Sequence, residues 1–227
     1  MTITHEDVGI LLFTLEAAAV ATVLIFPLAL VLAGGMRKLP SAVRPFAEAV
    51  LSLPLVLPPT AVGFLLLVIL SRRGSVGALL ERAGIEIVFT PAAVVIAAAV
   101  MAFPLMFRSF RVAIDAAEFR YFDIARTLGA GPVKAFVRVV LPLSWRGLLA
   151  GVVLAYCRAI GEFGATMLIA GNIPGRTQTI ALGIFQRVES GHEEKAVILL
   201  LFAVAIALGA MAASEWLMRS HQRRVSR

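Results

Sequence analysis

Arg158 and Glu162 are the residues with the most chemistry to offer, because they sit in an apolar stretch near 148–170. A charged group at a bilayer centre costs about 3 kcal/mol or more, so such residues face a protein interior or a water-filled cavity. Four apart on a helix, they share a face and can pair. Arg158 could instead attract an anion, but Glu162 would repel it, so the ion pair is favoured. Glu16, with Thr14 nearby, reads as a satisfied polar contact. Little else supports covalent chemistry. Cys157 is the single cysteine, and His5, His192 and His221 are scattered. No Ser/His, paired-Asp, H-E-x-x-H or metal-ligand spacing occurs. No Gly-Lys pair exists, which excludes a G-x-x-x-x-G-K-[ST] phosphate loop.

The elements around these charges are membrane spans. The 227 residues are 60% hydrophobic, with a mean hydropathy of +0.93, and the apolar residues come in blocks long enough to cross a bilayer. Five spans are predicted, at about 8–34, 49–70, 89–110, 148–170 and 196–218. The stretch 173–190 is short and polar, a re-entrant candidate that leaves six possible. With the N-terminus outside, fourteen Lys and Arg fall on inner segments against six on outer ones, the bias expected of a cytoplasmic side. That orientation places 111–147 and the C-terminus in the cytoplasm. The net charge of +7 sits beside apolar spans, which argues against a nucleic-acid face. The N-terminus lacks the positive start of a cleaved signal. No separate soluble domain fits, so residues 1–227 read as one transmembrane domain.

The loop 118–142 is the most patterned segment. Phe119, Phe122, Ala125 and Leu128 or Gly129 recur at helical spacing and predict one apolar stripe. Gly129 and Gly131 can take a left-handed backbone that stops a helix, and Pro132 can start the next. The segment reads as helix, turn, helix, ending at Leu141-Pro142 before the next span. It could lie on anionic lipid, or its ridge could fit a groove on another protein.

The spacing of Asp123-Ile124-Ala125, Gly129 and Val139-x-Leu141-Pro142 resembles the E-A-A-x3-G-x9-I-x-L-P loop of permease subunits in bacterial ABC importers. Asp123 stands where Glu is usual and Ile124 where the first Ala is usual, which shortens one reach and adds bulk. The resemblance implies an all-α integral membrane protein of five to six transmembrane helices, with the type I ABC importer permease fold and a cytoplasmic coupling helix. It assigns coupling to an ATPase to Phe119, Phe122, Asp123, Ala125, Leu128, Gly129, Leu141 and Pro142.

Two further segments, L-S-L-P-L-V-L-P-P-T-A-V-G at 51–63 and A-I-G-E-F-G-A-T at 159–166 followed by G-N-I-P-G-R-T-Q-T at 171–179, look like the molybdate ABC transporter permease family. That resemblance covers essentially the whole chain. Sulfate, thiosulfate and tungstate permeases belong to the same branch and stay as alternatives. A self-contained ion-coupled secondary transporter is the rival from another class, disfavoured by the lack of paired halves. Pro54, Pro58 and Pro59 cannot all sit in an unbroken helix, so this span either lines a pathway or kinks against a neighbour. Arg158, Glu162 and Thr166 join it as pathway or gate candidates. Arg72, Arg73, Asn172 and Arg176 fall at the outer mouth, where they could meet an anion, a binding protein or only solvent. The family implies a homodimer in the bacterial inner membrane, two ATP-binding cassette ATPase subunits that use ATP and Mg, and a periplasmic molybdate-binding protein. It implies no cofactor or metal on this chain.

Overall fold

The computed structural model describes residues 3–117 and 119–225, with Phe119, Met211 and 213–225 as backbone only. Thr4 starts the first helix, α1 (His5–Gly35), with a capping box. The Asp7 amide donates to Thr4 Oγ1 at 3.3 Å, and the Thr4 amide donates to Asp7 Oδ2 at 2.8 Å. This satisfies two donors that a helix start otherwise leaves open. A 3₁₀ turn, Met36–Lys38, follows. α5 (Pro91–Ala116) and α8 (Leu141–Ile160) pack on α1 as the central bundle. Small residues bring the backbones close: Ala18, Ala21, Ala29 and Ala33 of α1 and Ala98 and Ala102 of α5 are all buried. Close approach of this kind replaces the hydrophobic effect as the packing force within lipid.

The span predicted at 49–70 is two helices. α2 (Arg44–Val56) and α3 (Pro59–Leu70) meet at a bend of 104°. Neither Pro58 nor Pro59 has an amide hydrogen, so the Pro54 and Leu55 carbonyls lose their helical donors. Pro54 itself stays inside α2. The span predicted at 148–170 is also corrected. The helix begins at Pro132, continues through a π turn at Phe136–Val140 and stops at Ile160. After the break at 161–163 comes α9 (Gly164–Ile169). Leu141-Pro142 therefore lies inside a continuous 29-residue helix rather than closing the loop. The π turn accommodates Pro142: the Leu141 amide reaches back five residues to the Phe136 carbonyl, and the proline has no amide to place.

The remaining helices are α4 (Gly77–Arg82), α6 (Phe119–Thr127), α7 (Pro132–Ala135), α10 (Ile180–Glu189) and α11 (Glu193–Val225). Among the described residues, α1, α5 and the 132–160 helix are long and apolar enough to cross a membrane, and the bent α2–α3 pair makes a fourth. α11 has 33 residues and carries the stretch predicted at 196–218. α10, ten residues long, packs against α11 and α1 without crossing.

The two broken segments pack on each other. α3 lies along α9, and a Cβ at Gly63 would come within 2.6 Å of the Ala165 Cα and 2.8 Å of its carbonyl oxygen. Gly63→Ala should therefore lower the melting temperature of the detergent-solubilised protein, at a cost of about 1–3 kcal/mol. Gly209→Ala, at a position with open space around it, should change it far less. Circular-dichroism melts of both variants check this.

Candidate functional site

The loop between α5 and α7 is built by its glycine. The Ala130 amide donates to the Ala125 carbonyl at 2.9 Å and the Gly129 amide to the Arg126 carbonyl at 3.1 Å. That pair of bonds is the Schellman ending of a helix, with Gly129 left-handed at φ +86°. The spacing from Ala125 to Gly129 is thus the distance between the first carbonyl captured and the residue that reverses the chain. Gly131 does not share this role: at φ −61° and ψ 156° it is extended and precedes Pro132.

The faces of α6 differ from the predicted stripe. Phe122 is half-buried against the central bundle, and Ala125 is half-buried. The exposed apolar side chains are Tyr121, Ile124, Leu128, Val133 and Val137, with Leu128 at 82% exposure. Asp123 is exposed. The side chain of Phe119 lies outside the described residues. Phe122 therefore seats the helix, while Ile124 and Leu128 are the outward apolar groups. Sequence periodicity could not tell which side of a nine-residue helix turns inward.

The second candidate region lies where the two breaks meet. A Cβ on Gly164 would fall 2.9 Å from Pro59 Cβ, so the structure brings the Pro58-Pro59 turn to the start of α9. Pro58, Pro59 and Thr60 are exposed on the single chain. Glu162 is 2% exposed and pairs with Arg158 Nη2 at 2.8 Å. Glu162 lies beyond the end of α8, yet the pairing predicted from helical spacing forms across the helix end. Its Oε1 also accepts the Ala165 amide at 2.8 Å, so the carboxylate both neutralises Arg158 and opens α9. Thr166 is fully buried, and its hydroxyl has no partner among the described residues.

The outer residues are mostly engaged. Arg72 pairs with Glu86 and with Glu81, the latter at 3.6 Å. Asn172 donates to Gln186 Oε1 at 3.1 Å. Arg73 and Arg176 are exposed. Thr177, fully buried, holds the 171–177 loop: its hydroxyl accepts the Ile173 amide at 3.0 Å and donates to the Gly171 carbonyl at 3.2 Å. Sequence reading missed the clasp of α1 onto α10. Arg187 Nη2 meets the buried Asp7 at 2.6 Å, and the Thr14 hydroxyl accepts the Ile180 amide at 2.9 Å. Glu16, read as a satisfied contact, is exposed and makes no described ion pair or hydrogen bond.

The fold and loop define the membrane-spanning component of an ATP-driven transport system. The family model described as "Binding-protein-dependent transport system inner membrane component" matches residues 25–227, and the chain belongs to that family. Its relatives include the molybdenum transport system permease protein ModB of Escherichia coli (strain K12), 38% identical over all of both chains. ModB of Haemophilus influenzae is 35% identical over 96% of each, and that of Mycobacterium tuberculosis is 42% identical over 86% of this chain and 74% of its own. Among solved structures, a bacterial alginate ABC transporter in complex with alginate pentasaccharide-bound periplasmic protein aligns with a TM-score of 0.73 at 16% identity, over 95% of this chain and 80% of that one. The inward-facing MetNI methionine ABC transporter aligns at 0.65 and 15%, over 93% and 94%. These structures show the type I importer permease fold.

Arg158→Gln leaves a buried carboxylate without its counter-ion. It should destabilise the protein by about 2 kcal/mol or more, and Arg158→Gln with Glu162→Gln should recover part of that loss. Unfolding titrations in mixed micelles check the order of the three proteins.

Proposed function

We propose that this chain is the permease subunit of an importer that passes molybdate from a periplasmic binding protein to the cytoplasm by alternating access. The observation that carries it is the Schellman-capped surface helix with exposed Ile124 and Leu128, a shape suited to a groove on a separate ATPase subunit. Full-length likeness to molybdenum permeases supports the substrate. Phe119 and Phe122 seat the coupling helix, Asp123 presents its charge, Ala125 and Gly129 set the turn, Leu128 contacts the partner, and Leu141 and Pro142 join the loop to the helix above. ATP and Mg bind the partner ATPase, present in two copies, and this chain performs no hydrolysis.

The second copy of the chain and a water-filled pathway cover the Pro58-Pro59 turn. The Pro54 and Leu55 carbonyls lack helical donors there, and such groups are tolerated at membrane depth only against protein or water. Pro54, Pro58, Pro59, Arg158, Glu162 and Thr166 border this pathway, with Arg158 and Glu162 as its structural pair. The N-terminus and the Asp7–Arg187 clasp face the periplasm, with Arg72, Arg73, Asn172 and Arg176 toward the binding protein. The C-terminus and coupling loop face the cytoplasm, in line with the Lys and Arg bias.

The test is uptake into liposomes holding this chain and its ATPase, with the binding protein supplied. ATP-dependent molybdate uptake that resists excess sulfate is expected. Loss to sulfate moves the substrate to the sulfate branch, and uptake without the ATPase overturns the importer reading. Leu128→Glu should weaken ATPase binding about tenfold or more, measured by co-purification, while the permease itself still folds.

A further inference from the structure

α2 is held to the rest of the chain along a narrow edge. Ser52 is its one buried residue, and Ala47 and Leu51 pack half-buried on the central bundle. Phe46, Val50, Leu53 and Val56 are exposed. The polar tie is an ion network at its inner end. Glu48 Oε1 accepts from Arg44 Nε and from Arg111 Nε, each at 3.2 Å. Arg111, 7% exposed, also pairs with Asp115 one turn along α5. Asp115 in turn meets Arg44 at 3.3 Å and Arg37 at 3.7 Å. Removing one member of such a network leaves charge uncompensated at low exposure, so its members hold position together.

Each end of the network touches a part that has to move. Asp115 stands one residue before the end of α5, and α6 starts at Phe119. A displacement of α6 reaches Asp115 and Arg111 through a few residues of backbone. Glu48 lies on the helix whose far end is the Leu57–Pro58 bend, about 13 Å away along the helix axis. α2 is thus a short rod, gripped by ions at one end and free to pivot on the proline break at the other.

We propose that Arg111 and Glu48 are positioning residues of the transport cycle: their pair, buttressed by Asp115 and Arg44, passes movement of the coupling loop to α2 and so to the broken segment. This rests on the importer reading above. A network that only stabilised the fold would lower assembly when cut. A network that transmits movement would leave hydrolysis running while uptake lags.

The experiment uses the reconstituted complex with its ATPase and binding protein, and measures ATP hydrolysed per molybdate taken up. Glu48→Gln and Arg111→Gln should each raise that ratio about threefold or more, with ATPase subunit bound as in the wild type. The double variant should be no worse than either single one, because both cut the same connection. Glu48→Asp keeps the charge with a shorter reach and should fall between. A wild-type ratio in both Gln variants overturns the proposal, as does uptake falling only in proportion to lost assembly. If the Gln variants do not assemble, a wild-type ratio in Glu48→Asp overturns it. A wild-type complex that hydrolyses ATP without taking up molybdate overturns the importer reading itself, and this proposal with it.

Discussion

A peptide group in hydrocarbon has no water to turn to, and this constraint shapes the chain. Where a helix runs unbroken, as in α1 and α5, the backbone satisfies itself. Where it breaks, something else must supply a partner. The break after α8 is supplied from within: Glu162 accepts the Ala165 amide and, with its second oxygen, balances Arg158. The break between α2 and α3 has no such internal donor for the Pro54 and Leu55 carbonyls, because the residues four ahead are prolines. The two breaks are then pressed together at Pro59 and Gly164. One is closed by a carboxylate, and the other is left for its surroundings to complete.

The bundle is consequently uneven. α1, α5 and α8 share a continuous core of alanines, Phe107, Phe110 and Met106. Interiors packed to that density deform little. α2 and α3 are attached differently, one through ions and a few half-buried aliphatics, the other through a glycine contact with α9. A stiff frame with a lightly held arm suits a protein that must change its opening while its helices stay intact. The clasp of Asp7 and Arg187 joins the opposite end of the frame to α10, which leaves α2 and α3 as the arm with the fewest anchors.

The amino-acid sequence made much of this legible, and what it hid has a common cause. Long apolar helices and the proline break could be read, because length and a missing amide are properties of residue type. The stop at Gly129 could be read for the same reason. The break at 161–163 could not: G-E-F-G lies inside an apolar run, and hydropathy does not report where a carboxylate captures an amide. The inward side of α6 was misjudged because Phe122 and Leu128 are both large and apolar, and only contact with the bundle separates them. Arg111, Asp7 and Arg187 looked like ordinary flanking charges, since their partners come from helices distant in sequence.

The Schellman turn at Gly129 sets a rule of counting rather than of composition. Its two hydrogen bonds run between backbone groups of Ala125, Arg126, Gly129 and Ala130, and none depends on which side chains stand at 123 or 124. Asp123 and Ile124 can therefore depart from the usual residues with the turn intact. A one-residue insertion or deletion between Ala125 and Gly129 is a different matter. It would put a side-chain-bearing residue at the left-handed position and rotate the outward face of the loop by about 100°. The loop is thus open to change in letter and closed to change in length.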